Sequence, residues 1–296
     1  MKYTWINGEL LEDSKACLHV SDLSIQRGYG VFDFFSVTRP RPLQLKGEAT
    51  SPVEETNLAR PPFLLSSYLD RFFNSAAGLN LEVPYSKAEL TDIILQFIQK
   101  NQLKNHGIKM ILTGGYSDDG FTPVTSNLII RAHELKTPPK DKFQSGFKVM
   151  THEFQRSTPE YKSLDYRHAI SMLPTLKEKG LDDLLYHAHG VITELPRSNF
   201  FMVDQQNKLV TPANSILKGI TRRAVLHLAR KYYTVEERDI FTEELLIAKE
   251  AFLTSTTKFI MPITEIDGRK LGDGEPGPVT RQLSQLLLQL PQDFEF

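Results

Sequence analysis

Strand-like and helix-like segments alternate from one end of the chain to the other, which confines the fold to mixed α/β or α+β packing. Leu69, Phe72, Phe73, Ala76 and Leu79 fall at helical spacing behind Ser66-Ser67. Ser86-Lys-Ala-Glu89 is a capping box, in which the serine and glutamate each satisfy a free backbone N–H, and it opens a helix through Leu90–Phe97. Two more helices are expected over Ile220–Tyr232 and Pro278–Leu290. The sequence predicts strands at Ile108–Thr113, Asn127–Ala132, Phe147–Thr151, Leu184–His187, Asn199–Val203 and Ala251–Thr254. Met1–Gly8 reads as a strand running into a turn, without the apolar run of a signal peptide.

With 296 residues, 40% of them hydrophobic, the chain can bury a substantial core. The polar stretch Glu134–Lys142 contains Pro138-Pro139, which can continue neither a helix nor a ladder. It divides the expected architecture into a small N-terminal α/β domain (1–134), a linker (135–142) and a larger C-terminal domain (143–296). Between Thr38 and Pro62 lie five prolines and many polar residues, so an enlarged surface loop is expected, with a lid as the sharper alternative. Basic and acidic side chains number 35 and 36, leaving no surplus of positive charge for nucleic acid. No run of about 18 apolar residues occurs, so no membrane span is expected. Cys17, the only cysteine, excludes an intrachain disulfide and suits a reducing, cytoplasmic setting.

Three motifs follow one another at wide spacing. Lys162 stands in Tyr-Lys-Ser-Leu-Asp-Tyr166. Glu194 follows the turn His189-Gly190 and immediately precedes the apolar strand Asn199-Phe-Phe-Met-Val203, where a buried carboxylate would require a cationic partner. Lys218-Gly-Ile-Thr-Arg222 is a glycine turn opening a helix, whose free N–H groups and dipole suit an anion. In this order the motifs resemble the fold-type IV (class IV) pyridoxal-phosphate aminotransferases. That family includes branched-chain aminotransferases, D-amino acid aminotransferases and aminodeoxychorismate lyase. The resemblance extends from Asn7-Gly8 to Gly277-Pro278 and implies a two-domain homodimer binding pyridoxal 5'-phosphate.

The resemblance implies a role for each matching residue. Lys162 would hold the cofactor's aldehyde and then carry a proton between substrate Cα and cofactor. Glu194 would keep the pyridine nitrogen protonated, and Tyr166 would stand near the ring oxygen. The phosphate would lie against Gly219, Ile220 and Thr221, the Thr254-Ser255-Thr256 loop, and Arg71 in its Leu-x-Arg pattern. Ser198 and Asn199 complete the cofactor-binding set. Asp165 replaces the family's asparagine. His187 and His189 alternate but lack a third ligand nearby in sequence, so no metal is expected.

Two positions depart from the better-known branches. Arg27, in Ser-Ile-Gln-Arg-Gly-Tyr-Gly-Val-Phe-Asp33, replaces an aromatic residue, and Arg197 replaces a small one three positions after Glu194. Two guanidinium groups converging on one pocket would grip a substrate carboxylate bidentately. The alternative is that both are ion-paired structurally with acids such as Asp33. The pair of arginines resembles a non-standard group of D-amino acid aminotransferases. The expected reaction is therefore amino transfer between an α-amino acid, preferably the D-enantiomer, and a 2-oxo acid. Aminodeoxychorismate lyase and L-branched-chain aminotransferase are the alternatives.

Overall fold

A computed structural model describes residues 2–38 and 60–296. The loop expected over Thr38–Pro62, with its lid alternative, lies outside the described residues at 39–59. The first part of the chain forms β1 (Tyr3–Ile6), β2 (Glu9–Glu12), α1 (Leu23–Arg27), β3 (Gly30–Ser36), α2 (Leu65–Gly78), α3 (Lys87–Asn101), β4 (His106–Thr113) and β5 (Asn127–Glu134). Its five strands make an antiparallel sheet in the order β2-β1-β5-β4-β3. The capping box at Ser86 and Glu89 is formed. Helix α2 buries Leu65, Leu69, Phe72 and Ala76, at helical spacing, into a core with Phe35, Ile94 and Ile108.

The second part contains α4 (Lys142–Ser145), β6 (Phe147–Glu153), α5 (Arg167–Ser171), α6 (Leu173–Lys179), β7 (Asp183–Ala188), β8 (Val191–Ile192), β9 (Glu194–Leu195) and β10 (Ser198–Val203). It continues with β11 (Leu209–Thr211), α7 (Ile220–Ala229), β12 (Val235–Glu237), a 3-10 turn over Thr242–Ile247, β13 (Glu250–Ser255), β14 (Phe259–Ile266), β15 (Arg269–Lys270) and α8 (Pro278–Gln289). These strands form a ten-stranded mixed sheet with β12-β11-β10-β13-β14-β6-β7-β8 as its spine. Strand β10 is buried throughout because both faces of this sheet are covered. Phe200 and Met202 enter one core, and Phe201 and Val203 enter another beneath α7 and α8.

Two features of this layout build the site. Strands β6 and β7 are parallel, so a crossover must join them, and its residues 154–182 carry Lys162 and Tyr166 past the sheet end. The crossover then pairs with β3: Phe32 N–H donates to Lys162 O at 2.9 Å and Leu164 N–H to Gly30 O at 3.0 Å. From the other side, Ile220 at the start of α7 packs into the first core.

A buried carboxylate fixes the start of α1. Asp22, fully buried, accepts hydrogen bonds from Ser24 N and Oγ, Thr113 Oγ1 and Asn127 Nδ2 at 2.6–2.8 Å. Asn127 in turn accepts from Asn7. Removing the carboxylate strands two buried donors on β4 and β5, each costing about 1–3 kcal/mol. Asp22→Ala should therefore lower unfolding free energy by at least about 1 kcal/mol in urea titrations. A loss below about 0.5 kcal/mol, the range of an ordinary surface change, would refute this reading of Asp22.

Candidate active site

One cavity between the sheets gathers Arg71, Lys162, Tyr166, Glu194, Arg197, Ser198, Asn199, Gly219, Ile220, Thr221, Ser255 and Thr256. Every residue expected at the cofactor thus lines a single space. Lys162 is held by its backbone, which hydrogen-bonds β3 and also donates to Ser75 Oγ on α2 at 3.1 Å. Its amine lies 4.6 Å from the centre of the Phe32 ring. Burial, followed by the positive charge of Arg71, pushes that amine down to about 8 from 10.5. Nucleophilic free amine is correspondingly far more abundant near neutral pH. The Tyr166 ring packs edge-on against Phe32 at 5.6 Å, and burial pushes its phenol upward, so it is a hydrogen-bond donor at neutral pH.

Glu194 is 5% exposed, and its cationic partner is Arg156. Arg156 Nε and Nη2 both donate to Glu194 Oε1, at 2.9 and 2.6 Å, while Nη1 reaches the Tyr161 carbonyl at 3.0 Å. Oε2 accepts from Leu217 N at 3.0 Å, leaving it capacity for a second donor. Burial pushes the Glu194 carboxyl upward, and the Arg156 charge opposes it. The sequence motif requires a cation here but does not identify it. Arg156 belongs to the crossover that also carries Lys162, and only the folded path of residues 154–161 brings it to Glu194.

The other end of the cavity is built for an oxyanion. Helix α7 begins at Gly219 without a side-chain cap, leaving its first N–H groups free. A Cβ at Gly219 would stand 2.2 Å from Asn199 Oδ1, so any larger residue would have to displace the Asn199 amide. Asn199 Nδ2 braces the turn by donating to Leu217 O at 2.7 Å. Arg71, 11% exposed, is locked by a bidentate pair to fully buried Asp33, with Nε–Oδ2 at 2.8 Å and Nη2–Oδ1 at 2.6 Å. The buried Thr254 Oγ1 has no hydrogen-bond partner among the described residues. On the far side of the Ser255-Thr256 loop, Lys258 Nζ pairs with Asp183 at 2.7 Å and lies 3.4 Å from Ser198 Oγ. A reactive amine, a buried carboxylate and an oxyanion cup within one cavity fit the three functional ends of pyridoxal 5'-phosphate.

The two arginines expected at the substrate are placed differently. Arg197 is an exposed residue of the cavity wall, in the turn before β10. Arg27 ends α1, donates to its neighbour Gln26 O at 2.9 Å and is absent from the wall. One chain therefore does not bring both to one pocket. Among the described residues neither makes an ion pair, and Asp33, their suggested structural partner, is committed to Arg71. Asp165 pairs with exposed Arg167. His187 and His189 end β7 and enter the following turn, with exposed His189 facing Glu153 at 3.6 Å. Lys109, which no motif marks, points its amine at the same Phe32 ring as Lys162, also at 4.6 Å. Burial, then the charge of Lys162, pushes it downward, and it has no acidic partner among the described residues.

The lowered amine has a measurable consequence. Capture of pyridoxal by the cofactor-free protein should rise with pH along a curve centred near 8, the position set by burial beside Arg71. A midpoint near the ordinary value of 10.5 would mean that Lys162 is solvated, contrary to its placement.

Comparison with known proteins agrees with this geometry. The profile of the family described as amino-transferase class IV matches residues 55–266. A D-alanine aminotransferase of Bacillus licheniformis is 27% identical over 290 residues, covering 95% of this chain and 94% of its own. A branched-chain-amino-acid aminotransferase of Pseudomonas aeruginosa is 28% identical over 298 residues, covering 97% and 92%. Among solved structures, the Escherichia coli branched-chain amino acid aminotransferase superposes with a TM-score of 0.82 at 25% identity, covering 98% of this chain and 94% of its own. The T.th. branched-chain enzyme with pyridoxamine 5'-phosphate superposes at 0.84 and 22% identity, covering 97% and 93%, a likeness of fold. With the profile spanning well over half of its length, the chain belongs to the class IV aminotransferases.

Proposed function

We propose that this aminotransferase moves an amino group between a D-amino acid and a 2-oxo acid, using pyridoxal 5'-phosphate. The observation that carries the choice of substrate is Arg197, an unpaired guanidinium on the cavity wall three residues from Glu194. An aliphatic substrate pocket would not place an unpaired charge there. The relatives include D-alanine as well as branched-chain aminotransferases, so their names alone do not choose between the two.

The cofactor, when bound, supplies an electron sink for negative charge developing at the substrate Cα. Lys162 would hold the cofactor through its aldehyde, and its amine is the group placed to take and return a proton at the substrate Cα. Its lowered affinity for protons suits a base working near neutral pH. Glu194 would face the pyridine nitrogen and hold a proton there. Arg156 keeps that carboxylate ionised and aimed, while burial keeps it basic enough to hold the proton firmly. Tyr166 would donate to the ring oxygen. The substrate carboxylate is gripped by Arg197, with Arg27 added by a second copy of the chain. Lys109 contributes positive charge one phenyl ring away from Lys162.

The homodimer is part of this reading. Ile25, two residues before Arg27, and Phe121 are 57% and 77% exposed, with Val20, Tyr116 and Val124 also exposed. Asp119 staples the loop that presents Phe121, accepting from Ser117, Thr122 and two backbone N–H groups. A rigid loop with an apolar tip beside an unpaired arginine suits a partner surface. The single exposed Cys17 suits a reducing interior, and we read the enzyme as cytoplasmic.

Two experiments test the reading. D-Alanine or D-glutamate should bleach the visible absorbance of the bound cofactor, and Arg197→Ala should raise the amino acid KM about 10–100-fold, the worth of a charged hydrogen bond. Faster bleaching by L-leucine would favour the branched-chain assignment. Release of pyruvate and 4-aminobenzoate from aminodeoxychorismate without an acceptor would favour the lyase. The second experiment mixes Lys162→Ala, which is inactive, with Arg27→Ala, assayed at an amino acid concentration too low for its raised KM to support turnover. If Arg27 serves the partner's site, half the molecules become heterodimers with one intact site, restoring about a quarter of the activity. No recovery after subunit exchange would place Arg27 in its own chain's site or in none.

A further inference from the structure

Tyr68 is a buried aromatic residue one helical turn before Arg71 on α2, and at that spacing it reads as core. Its ring does pack there, 5.7 Å from Phe35. Its hydroxyl does not end in the core. It lies 2.9 Å from Thr256 Oγ1, in the loop after β13, and against the Thr221 hydroxyl in the first turn of α7. These are the threonines of both halves of the oxyanion cup. The ring also backs Arg71, whose guanidinium carbon is 5.3 Å from its centre. Beyond the phenol lies a mainly apolar cleft lined by Phe63, Leu64, Ala224, Phe259 and Leu287. Burial pushes the phenol upward, so it keeps its hydrogen at working pH.

A hydroxyl carries one hydrogen and two lone pairs. If Thr256 gives its hydrogen to Tyr68, it presents only lone pairs to an anion and repels it. If Tyr68 donates instead, the threonine hydrogen is left for a phosphate oxygen. We propose that Tyr68 is a positioning residue of the phosphate site, donating to Thr256 so that the threonine hydroxyl turns its own hydrogen toward the cofactor's phosphate. A bound dianion selects this arrangement, because it accepts and cannot donate. The inference rests on reading Thr221, Thr256 and Arg71 as the phosphate site.

The test uses the full chain stripped of cofactor, titrated with pyridoxal 5'-phosphate and, separately, with pyridoxal, which lacks the phosphate. Tyr68→Phe keeps the ring and its packing. It should weaken pyridoxal 5'-phosphate about tenfold, the worth of one hydrogen bond to a charged group, and leave pyridoxal within about twofold. In a Thr256→Val background the same substitution should change either affinity by less than about twofold, because the group through which it acts is gone. Equal weakening of both ligands would show a purely structural role and overturn the proposal, as would no weakening of either. Arg71→Met separates the proposal from its premise. If Arg71→Met weakens pyridoxal 5'-phosphate and Tyr68→Phe does not, Tyr68 alone is misread. If Arg71→Met also leaves the affinity intact, the phosphate site itself is misassigned.

Discussion

The buried pair between Glu194 and Arg156 is the interaction on which the rest of the site depends. A carboxylate 5% exposed at a strand end would be neutralised by desolvation if it stood alone. Breaking a buried pair of this kind by removing one partner typically costs about 3–5 kcal/mol, so the two residues stand or fall together. The same logic recurs around the cavity. Arg71 is tied to Asp33, and Lys258 to Asp183. Lys162, by contrast, has no ion-pair partner among the described residues, and burial drives its amine toward the neutral form. Paired charges make the walls, and the amine of Lys162 is left without a partner among the described residues, as the proposed nucleophile would be.

The two sheets supply complementary halves. The first contributes Phe32, Asp33 and, through α2, Tyr68, Arg71 and Ser75 at successive turns of one helix face. The second contributes Glu194, Asn199, the loop after β13 and the start of α7. The crossover between β6 and β7 joins them, because its backbone bonds to β3 while its side chains face the second sheet's carboxylate.

Much of this is legible in the sequence, and what is not has definite physical causes. Lys162, Glu194 and Gly219–Thr221 sit in local motifs whose chemistry depends on a few adjacent residues. The helices α2, α3, α7 and α8 follow from apolar spacing and capping, with ends shifted by a few residues at most. Strand β14 is hidden: Pro262 lies in its middle, paired across to Phe252, where a proline ordinarily argues against a strand. Arg156 is hidden because its meaning arises from a tertiary approach with no spacing rule. Tyr68 looks like any core aromatic, since helical periodicity reports which face a ring takes and says nothing of where its hydroxyl ends. Arg27 stands out by its residue type, and only the fold shows that it ends α1 away from the cavity wall.

The division of the site between two cores gives a bound cofactor a mechanical role. Its phosphate end would touch α2 and Arg71 from the first core and the α7 turn from the second, so it acts as a rivet through the seam. Ligand that binds only the assembled seam adds RT ln(1 + [L]/Kd) to the free energy holding the halves together, about 2.7 kcal/mol at a hundredfold excess over Kd. Without the ligand this contribution is missing, and the two halves are held only by their own packing.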